Sequence, residues 1–140
     1  MIYLKDSEVS KKHNNYPIQM NEIMNHFKLS EFDSPDFPGS GKNMNIEFLQ
    51  MIDNARELSG HPIKINSGYR TVEHNAIVGG SDTSSHLAGR AADLHCNTSS
   101  GRCDLITALI GAAFRRIGIG KNFLHVDNDP RKIDAIWLYK

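Results

Sequence analysis

Apolar residues repeat along the chain with two periodicities, and the longer one, of three to four residues, marks the predicted helices. Two stretches repeat at three- and four-residue steps, which places their apolar side chains on one face of a helix. The first stretch contains Ile46, Leu49, Ile52, Ala55 and Leu58, and the second contains Leu105, Ile106, Leu109, Ile110, Ala113 and Phe114. Asn43 or Asn45 can cap the first helix, and Gly60 followed by Pro62 ends it.

Shorter apolar stretches have strand character. Strands are predicted at 63–66, 90–95, 116–120, 123–127 and 135–139, and a short helix at 71–78. The last three strands follow one another with hairpin-length connections. Strands clustered in this way indicate a small antiparallel sheet with helices packed on one face, which is the α+β class.

The chain of 140 residues is long enough for one domain with a buried core. Residues 1–30 are polar and are predicted to be an N-terminal extension, with weak helical periodicity at 16–24. Residues 31–44 are rich in turn-forming residues and predict an ordered loop. The motif-bearing core is therefore placed at 30–140 of a single domain, which we expect to be a monomer.

Charge and composition exclude some classes of function. Lysine and arginine number 16, and so do aspartate and glutamate, so no net charge attracts nucleic acid or an anionic membrane. No apolar run reaches membrane-spanning length, and the N-terminus lacks the apolar segment of a signal peptide. We expect a protein that accumulates in the cytoplasm on synthesis. Cys96 and Cys103 are expected to be free thiols in a chain without an export signal.

Three residues point to a metal site. His86 follows a polar loop, Asp93 lies in a predicted strand and His125 lies in a later strand. Two imidazoles and one carboxylate form a ligand set that catalytic zinc uses, with the fourth position open for water. Chance alone readily supplies such a triple in a chain with seven histidines, so residue types by themselves do not establish the site.

The two-residue period of a strand adds two further candidates. Asp127 should lie on the same face as His125, where it can orient the imidazole or act on water held by the metal. His95 should share a face with Asp93. It is an accessory ligand or, as we favour, a partly buried histidine beyond the site.

The words around these residues resemble a known family. Ser67-Gly68-Tyr69-Arg70, then Ser85-His86-x-x-Gly89-x-Ala91-x-Asp93, then His125-x-Asp127 occur in the motif order of the zinc D-alanyl-D-alanine carboxypeptidase family. This family, metallopeptidase family fifteen, holds peptidoglycan carboxypeptidases, D,D-dipeptidases, L,D-endopeptidases and phage endolysins. The resemblance runs from about residue 30 to the C-terminus and is greatest to a compact branch ending in His-Val-Asp and a short strand.

The resemblance implies roles for individual residues. It implies that His86, Asp93 and His125 bind one zinc ion, and that Arg70 contacts substrate and steadies the oxyanion. A guanidinium suits that role, although a structural ion pair is the alternative. Ser85 is expected to hydrogen-bond near the metal loop and to help bind substrate.

One position departs from the family pattern. Better-known members carry Glu or Asp three residues before the last histidine as the general base, whereas this chain has Asn122. An amide cannot accept the proton. Three alternatives stay open: Asp127 is the base, a carboxylate from the 31–36 loop reaches the site, or activity is weak. We favour Asp127.

The resemblance therefore implies a zinc peptidase that cleaves the peptidoglycan stem peptide next to a D-amino acid. It would be a D,D-carboxypeptidase or an L,D-endopeptidase, acting on the cell wall as a phage lysin after release or from a virion. A non-catalytic zinc-bearing binding or virion structural module is the alternative, because hedgehog signalling domains share such a metal site and act as ligands. A cytoplasmic dipeptidase for free D-Ala-D-Ala is a third possibility.

Overall fold

A computed structural model describes residues 23–140. Its helices are α1 (Ile46–Ser59), α2 (Val72–Ile77) and α3 (Ser99–Gly111), and two 3-10 turns cover Leu29–Phe32 and Ser40–Asn43. Its strands are β1 (Ile65–Ser67), β2 (Ala91–His95), β3 (Arg116–Ile119), β4 (Phe123–Asp127) and β5 (Ala135–Leu138). The class is α+β, as predicted. None of the helices within 23–140 combines the length and apolar character needed to cross a membrane.

Helix α1 begins and ends where its flanking residues dictate. The Asn45 side chain accepts a hydrogen bond from the Phe48 backbone N–H at 2.9 Å, and Gly60 adopts the left-handed conformation that closes the helix. Its inner face buries Phe48, Leu49 and Ile52 completely. Burial of one such side chain stabilises the fold by roughly 1.5–3 kcal/mol. Of the two predicted caps, Asn45 is the one used.

Helix α3 starts earlier than its apolar pattern predicts. The Thr98 hydroxyl accepts from the Gly101 backbone N–H at 3.0 Å and sets the helix start at Ser99, whereas apolar residues begin only at Leu105. The helix also ends at Gly111, because Ala113 takes a left-handed φ of 74°. A polar first turn and an apolar residue beyond the end both blur the pattern.

The core extends further toward the N-terminus than residue 30. Ile23, Met24 and Phe27 are buried in the same apolar cluster as α1 and the sheet. Most of the weakly periodic segment 16–24 lies outside the described residues. The predicted loop at 31–44 is ordered and contains both 3-10 turns.

The sheet has the strand order β1-β2-β4-β3-β5 and is mixed. Neighbouring strands are antiparallel except for β3 and β5, which are parallel, so the prediction of an antiparallel sheet is wrong at this edge. The segment between β4 and β5 crosses beyond β3 before β5 pairs. Arg116 of β3 donates to the Ile133 carbonyl oxygen and secures this crossing. Strand spacing in the sequence carries no information about which edge the last strand takes.

Side chains along the central strands alternate between two faces of the sheet, one that packs in the core and one that carries the candidate site. Ala92, Leu94, Leu124, Val126 and Ile117 are buried on the face that packs on the helices. On the opposite face, Ser67, Asp93, His125, Gly118 and Trp137 are paired in one row across all five strands. Polar chemistry is thereby concentrated on the face away from the helices.

Candidate metal centre

Three elements bring the predicted ligands together. Asp93 of β2 and His125 of β4 are direct cross-strand partners, so their side chains leave the sheet side by side. His86 arrives from the loop before β2. One ligand atom from each of the three residues lies within 4.8 Å of the others. Among residues 23–140, this is the group of histidine and carboxylate side chains whose arrangement suits a metal ion.

Each histidine has one ring nitrogen committed to the protein. His86 Nδ1 lies 2.7 Å from the Gly68 carbonyl oxygen, and His125 Nε2 lies 2.7 Å from Asp127 Oδ2. Both partners accept hydrogen bonds, so these nitrogens carry the protons. The remaining atoms, His86 Nε2 and His125 Nδ1, face Asp93, and in the neutral rings they carry the lone pairs that can bind a metal.

The spacing of these free atoms fits a tetrahedral ion. Asp93 Oδ1 lies 3.3 Å from His86 Nε2 and 3.1 Å from His125 Nδ1. Two ligands bound at about 2.0–2.1 Å to a tetrahedral zinc ion lie roughly 3.3 Å apart. The donor set and its separations therefore fit the ion that the ligand types suggest.

The Asp93 carboxylate and the His125 imidazole shift each other's pKa values. Burial raises the pKa of the Asp93 carboxyl, but hydrogen bonds with His125 and His86 outweigh it and hold that pKa well below its usual range. Burial lowers the pKa of His125, whereas hydrogen bonds to Asp127 and Asp93 raise it, and the net pKa is raised. Without metal, the centre thus favours an ionised carboxylate beside a protonated imidazole.

Arg70 is held beside the predicted ligand Asp93. Its guanidinium donates to Ser67 Oγ at 3.2 Å, Asn75 Oδ1 at 3.3 Å and Asp93 Oδ2 at 3.3 Å. The backbone N–H of Arg70 also donates to the His86 carbonyl oxygen at 3.1 Å. The ion-pair alternative is therefore present, and Asp93 is left with Oδ1 for the metal.

Asp127 lies behind His125, on the far side of the ring from Asp93. Its Oδ2 accepts from His125 Nε2, and its Oδ1 accepts from Arg116 Nε at 2.8 Å and from the Asp129 backbone N–H at 3.2 Å. The side chain is 1% exposed. Burial raises the pKa of Asp127, but the hydrogen bonds from His125 and the Asp129 backbone outweigh it and lower the pKa. These contacts suit an orienting group.

The carboxylates of the 31–36 loop are used elsewhere. Glu31 accepts from the Lys28 backbone, Asp33 from the Gly39 and Gly41 backbones, and Asp36 from the Ser34 and Thr71 hydroxyls. None belongs to the ligand group. The alternative in which this loop supplies the base has no support in these contacts.

Two further sequence candidates lie away from the ligand group. Asn122 is exposed in the β3–β4 turn, and its backbone oxygen accepts from the Cys96 N–H at 3.1 Å. His95 is outside the group too, but it is exposed rather than partly buried, because β2 ends at this residue. Cys96 and Cys103 are free thiols, as expected.

Ser85 joins the metal loop to the segment after β4. Its buried hydroxyl donates to Asp129 Oδ2 at 2.7 Å and accepts from Lys132 Nζ at 3.0 Å. Asp129 is itself buried and bound by Arg131 through both side-chain oxygens. Sequence reasoning placed Ser85 near the loop but missed Asp129, although Asp129 continues the alternation His125, Asp127.

Gly89 allows the metal loop to pack closely. It adopts φ +67°, and a Cβ there would lie 2.2 Å from the Asn43 carbonyl oxygen. The Gly89 carbonyl oxygen in turn accepts from the Asn45 N–H at 2.8 Å, beside the start of α1. Only glycine tolerates both the backbone conformation and the contact.

Comparisons with known proteins agree with this geometry. The family model described as peptidase M15 matches residues 19–127. A similar protein is the zinc D-Ala-D-Ala carboxypeptidase of Streptomyces albus G, 43% identical over 56 residues. That match covers 40% of this chain and 22% of the relative, so the chain spans about a fifth of the relative's length.

Proposed function

The chain belongs to the peptidase M15 family, and from this membership we propose that it is a zinc peptidase acting on the peptidoglycan stem peptide next to a D-amino acid. The observation that carries the proposal is the convergence of His86 Nε2, Asp93 Oδ1 and His125 Nδ1, three atoms that contact one another while the other ring nitrogen of each histidine is engaged elsewhere. The named activity of the Streptomyces albus G relative supports the substrate class.

Each residue of the site has a separate role in the proposed reaction. His86, Asp93 and His125 would hold the ion, which supplies Lewis-acid activation of water and of the scissile carbonyl. Asp127 fixes the His125 ring so that Nδ1 is the free nitrogen. Arg70 donates to Asp93 Oδ2 and leaves Oδ1 for the ion, and its side chain, 15% exposed, would present the guanidinium to charge developing on the substrate carbonyl oxygen.

The contacts of Asp127 bear on the identity of the proton acceptor. The strand argument assigns this role to Asp127, yet both of its oxygens are engaged and it faces the far side of His125. The contacts support an orienting role over a proton-accepting one. Ser85, buried and bonded to Asp129, supports the loop and has little surface with which to contact substrate.

A non-catalytic zinc module is the second candidate. One observation favours it: Asn122 replaces the acid of better-known members, and the carboxylates of the 31–36 loop are held elsewhere. Such a module would bind stem peptide and leave it intact.

Digestion of purified peptidoglycan separates the two candidates. Zinc-loaded protein is incubated with the polymer, and new termini are identified by mass spectrometry. We expect cleavage at one stem bond, abolished in His86→Ala and retained in His61→Ala, an exposed histidine outside the ligand group. The identity of the cleaved bond distinguishes a D,D-carboxypeptidase from an L,D-endopeptidase. Cleavage of a stem bond is the activity that a phage lysin or a virion enzyme requires. Binding without new termini would support the module and overturn the peptidase.

A further inference from the structure

Two aromatic side chains stand beside the metal centre on the flank opposite Arg70. Trp137 of β5 and Tyr139, one residue beyond the strand, form this aromatic wall. Trp137 is paired with Gly118, which is paired with His125, so the wall lies two strands from the ligand in the same row. The ring centroids of Trp137 and His125 are nevertheless only 5.6 Å apart.

The wall reaches His125 because Gly118 leaves room for it. A Cβ on Gly118 would lie 2.5 Å from Tyr139 Cε2 and 2.7 Å from Trp137 Cε2. Both rings therefore lie over the backbone of β3 and lean toward the centre. A residue with a side chain at this position would displace them.

Contacts on several sides hold the rings in place. The Arg116 guanidinium lies 4.8 Å from the Trp137 ring centroid, and the same side chain pairs with Asp127. Tyr139 packs on Phe123 at 5.1 Å and on Trp137 at 6.1 Å between centroids. Trp137 is partly buried, whereas Tyr139 is 45% exposed and offers a face to a ligand.

The Tyr139 hydroxyl has a hydrogen to donate. A tyrosine hydroxyl carries one hydrogen to donate and an oxygen that can accept. Burial raises the pKa of this phenol, and the nearby Asp93 and Asp127 carboxylates raise it further. The hydroxyl thus stays protonated at neutral pH.

We propose that the wall of Trp137 and Tyr139 is the specificity-determining side of the substrate cleft, contacting the alanine residue next to the scissile bond. This inference rests on the proposed function. A stem peptide offers both kinds of surface that the cleft can bind: alanine methyl groups for the aromatic faces and backbone carbonyls for the phenol. Arg70, on the other flank, provides the cationic contact.

The chain contains one tryptophan, Trp137, so tryptophan fluorescence reports directly on binding at the wall. Zinc-loaded protein is titrated with the synthetic pentapeptide L-Ala-D-Glu-L-Lys-D-Ala-D-Ala while Trp137 fluorescence is recorded, and cleavage kinetics are measured in parallel. We expect a saturable change in emission. Tyr139→Ala should weaken binding and raise KM by about tenfold, with zinc content unchanged.

Two variants make the result specific. Tyr139→Phe keeps the ring and removes the donor, so it should fall between wild type and Tyr139→Ala. Ile136→Ala removes a 58% exposed side chain from the opposite face of the same strand and should match wild type. This control separates a local effect from general disturbance of β5.

The outcomes separate the inference from the function. If wild type cleaves the peptide and Tyr139→Ala retains its KM, the inference fails and the peptidase stands. If Trp137 emission responds but no bond is cut, the wall binds stem peptide, whereas the peptidase and the assignment of the wall to the scissile bond both fail. Neither response nor cleavage overturns both.

Discussion

At the scale of single residues, the centre depends on which ring nitrogen each histidine leaves free. Gly68 and Asp127 take one nitrogen each from His86 and His125, and the other nitrogens face Asp93. The His-x-Asp spacing on a strand places the orienting carboxylate on the same face as its histidine. Affinity for the ion should therefore depend on a residue that does not touch it.

Replacing Asp127 tests this dependence. Asp127→Asn should weaken zinc binding by about 10- to 100-fold, because an amide no longer enforces the required tautomer of His125. Competition with a chromophoric chelator measures the affinity. Asp134→Asn, which alters a 63% exposed surface carboxylate, should bind zinc like wild type. Equal affinities in all three proteins would show that Asp127 does not orient the ligand.

The raised pKa of His125 gives zinc binding a defined pH dependence. Protonated His125 contributes stability to the metal-free fold below the unfolded pKa of about 6.5, and this is lost as pH rises through the folded pKa. Zinc requires the neutral imidazole, so the proton and the ion compete. The increase in Tm on adding zinc should grow from pH 6 to pH 8 in thermal unfolding experiments. An increase that is constant over this range would contradict the competition.

At the scale of elements, close packing of the metal loop on the start of α1 positions His86. Gly89 and Gly79 can be compared directly, because both have positive φ, at +67° and +73°. They differ in their surroundings: a Cβ added at Gly89 would have a neighbour within 4 Å, whereas one added at Gly79 would have none. Strand and helix patterns predicted the flanking elements well and could not reveal this contact, since it joins residues 43 and 89.

Substituting the two glycines separates backbone strain from steric conflict. Gly79→Ala should cost about 1–2 kcal/mol in free energy of unfolding, the usual penalty of the left-handed conformation. Gly89→Ala should cost more and should also reduce zinc affinity, because the His86 loop must move away from Asn43. Urea unfolding and chelator competition measure the two effects. Equal costs with unchanged zinc affinity would refute the packing argument.

At the scale of the whole molecule, the segment after β4 ties the C-terminal part of the sheet to the metal loop. Asp129 accepts hydrogen bonds from Arg131 and from Ser85, which lies 44 positions earlier in the sequence. Hydrogen bonds from Arg131 lower the pKa of Asp129 most; burial opposes them, and the Ser85 hydroxyl lowers it further. A lowered folded pKa means that the stabilisation is present above the unfolded pKa of about 3.9 and is lost as pH falls.

Asp129→Asn should therefore lower stability near neutral pH by roughly 2 kcal/mol, the range for hydrogen bonds to a charged group. The difference from wild type should shrink as the pH falls below about 4. Denaturant unfolding at several pH values measures both effects, with Asp82→Asn, an exposed aspartate in the loop that contains Ser85, as control. A difference that persists unchanged into acid would show that ionisation of Asp129 is not the cause.

The sequence predicted the elements, and the convergence of the three candidate ligands, better than it predicted how other distant segments meet. Periodicity located α1 and β4, and the motif words identified His86, Asp93 and His125. The parallel pairing of β5, the Asp129 contacts and the position of Trp137 over Gly118 arise from contacts between strands and loops. Such contacts depend on chain direction and packing, which single-chain patterns do not encode.

Three atoms of the centre, His86 Nε2, His125 Nδ1 and Asp93 Oδ1, are expected to bind one zinc ion. A crystal structure of zinc-soaked protein, with anomalous data collected on both sides of the zinc absorption edge, tests it most directly. We expect one peak about 2.0–2.2 Å from His86 Nε2, His125 Nδ1 and Asp93 Oδ1. A peak bound through His125 Nε2, or no peak at this site, would contradict it.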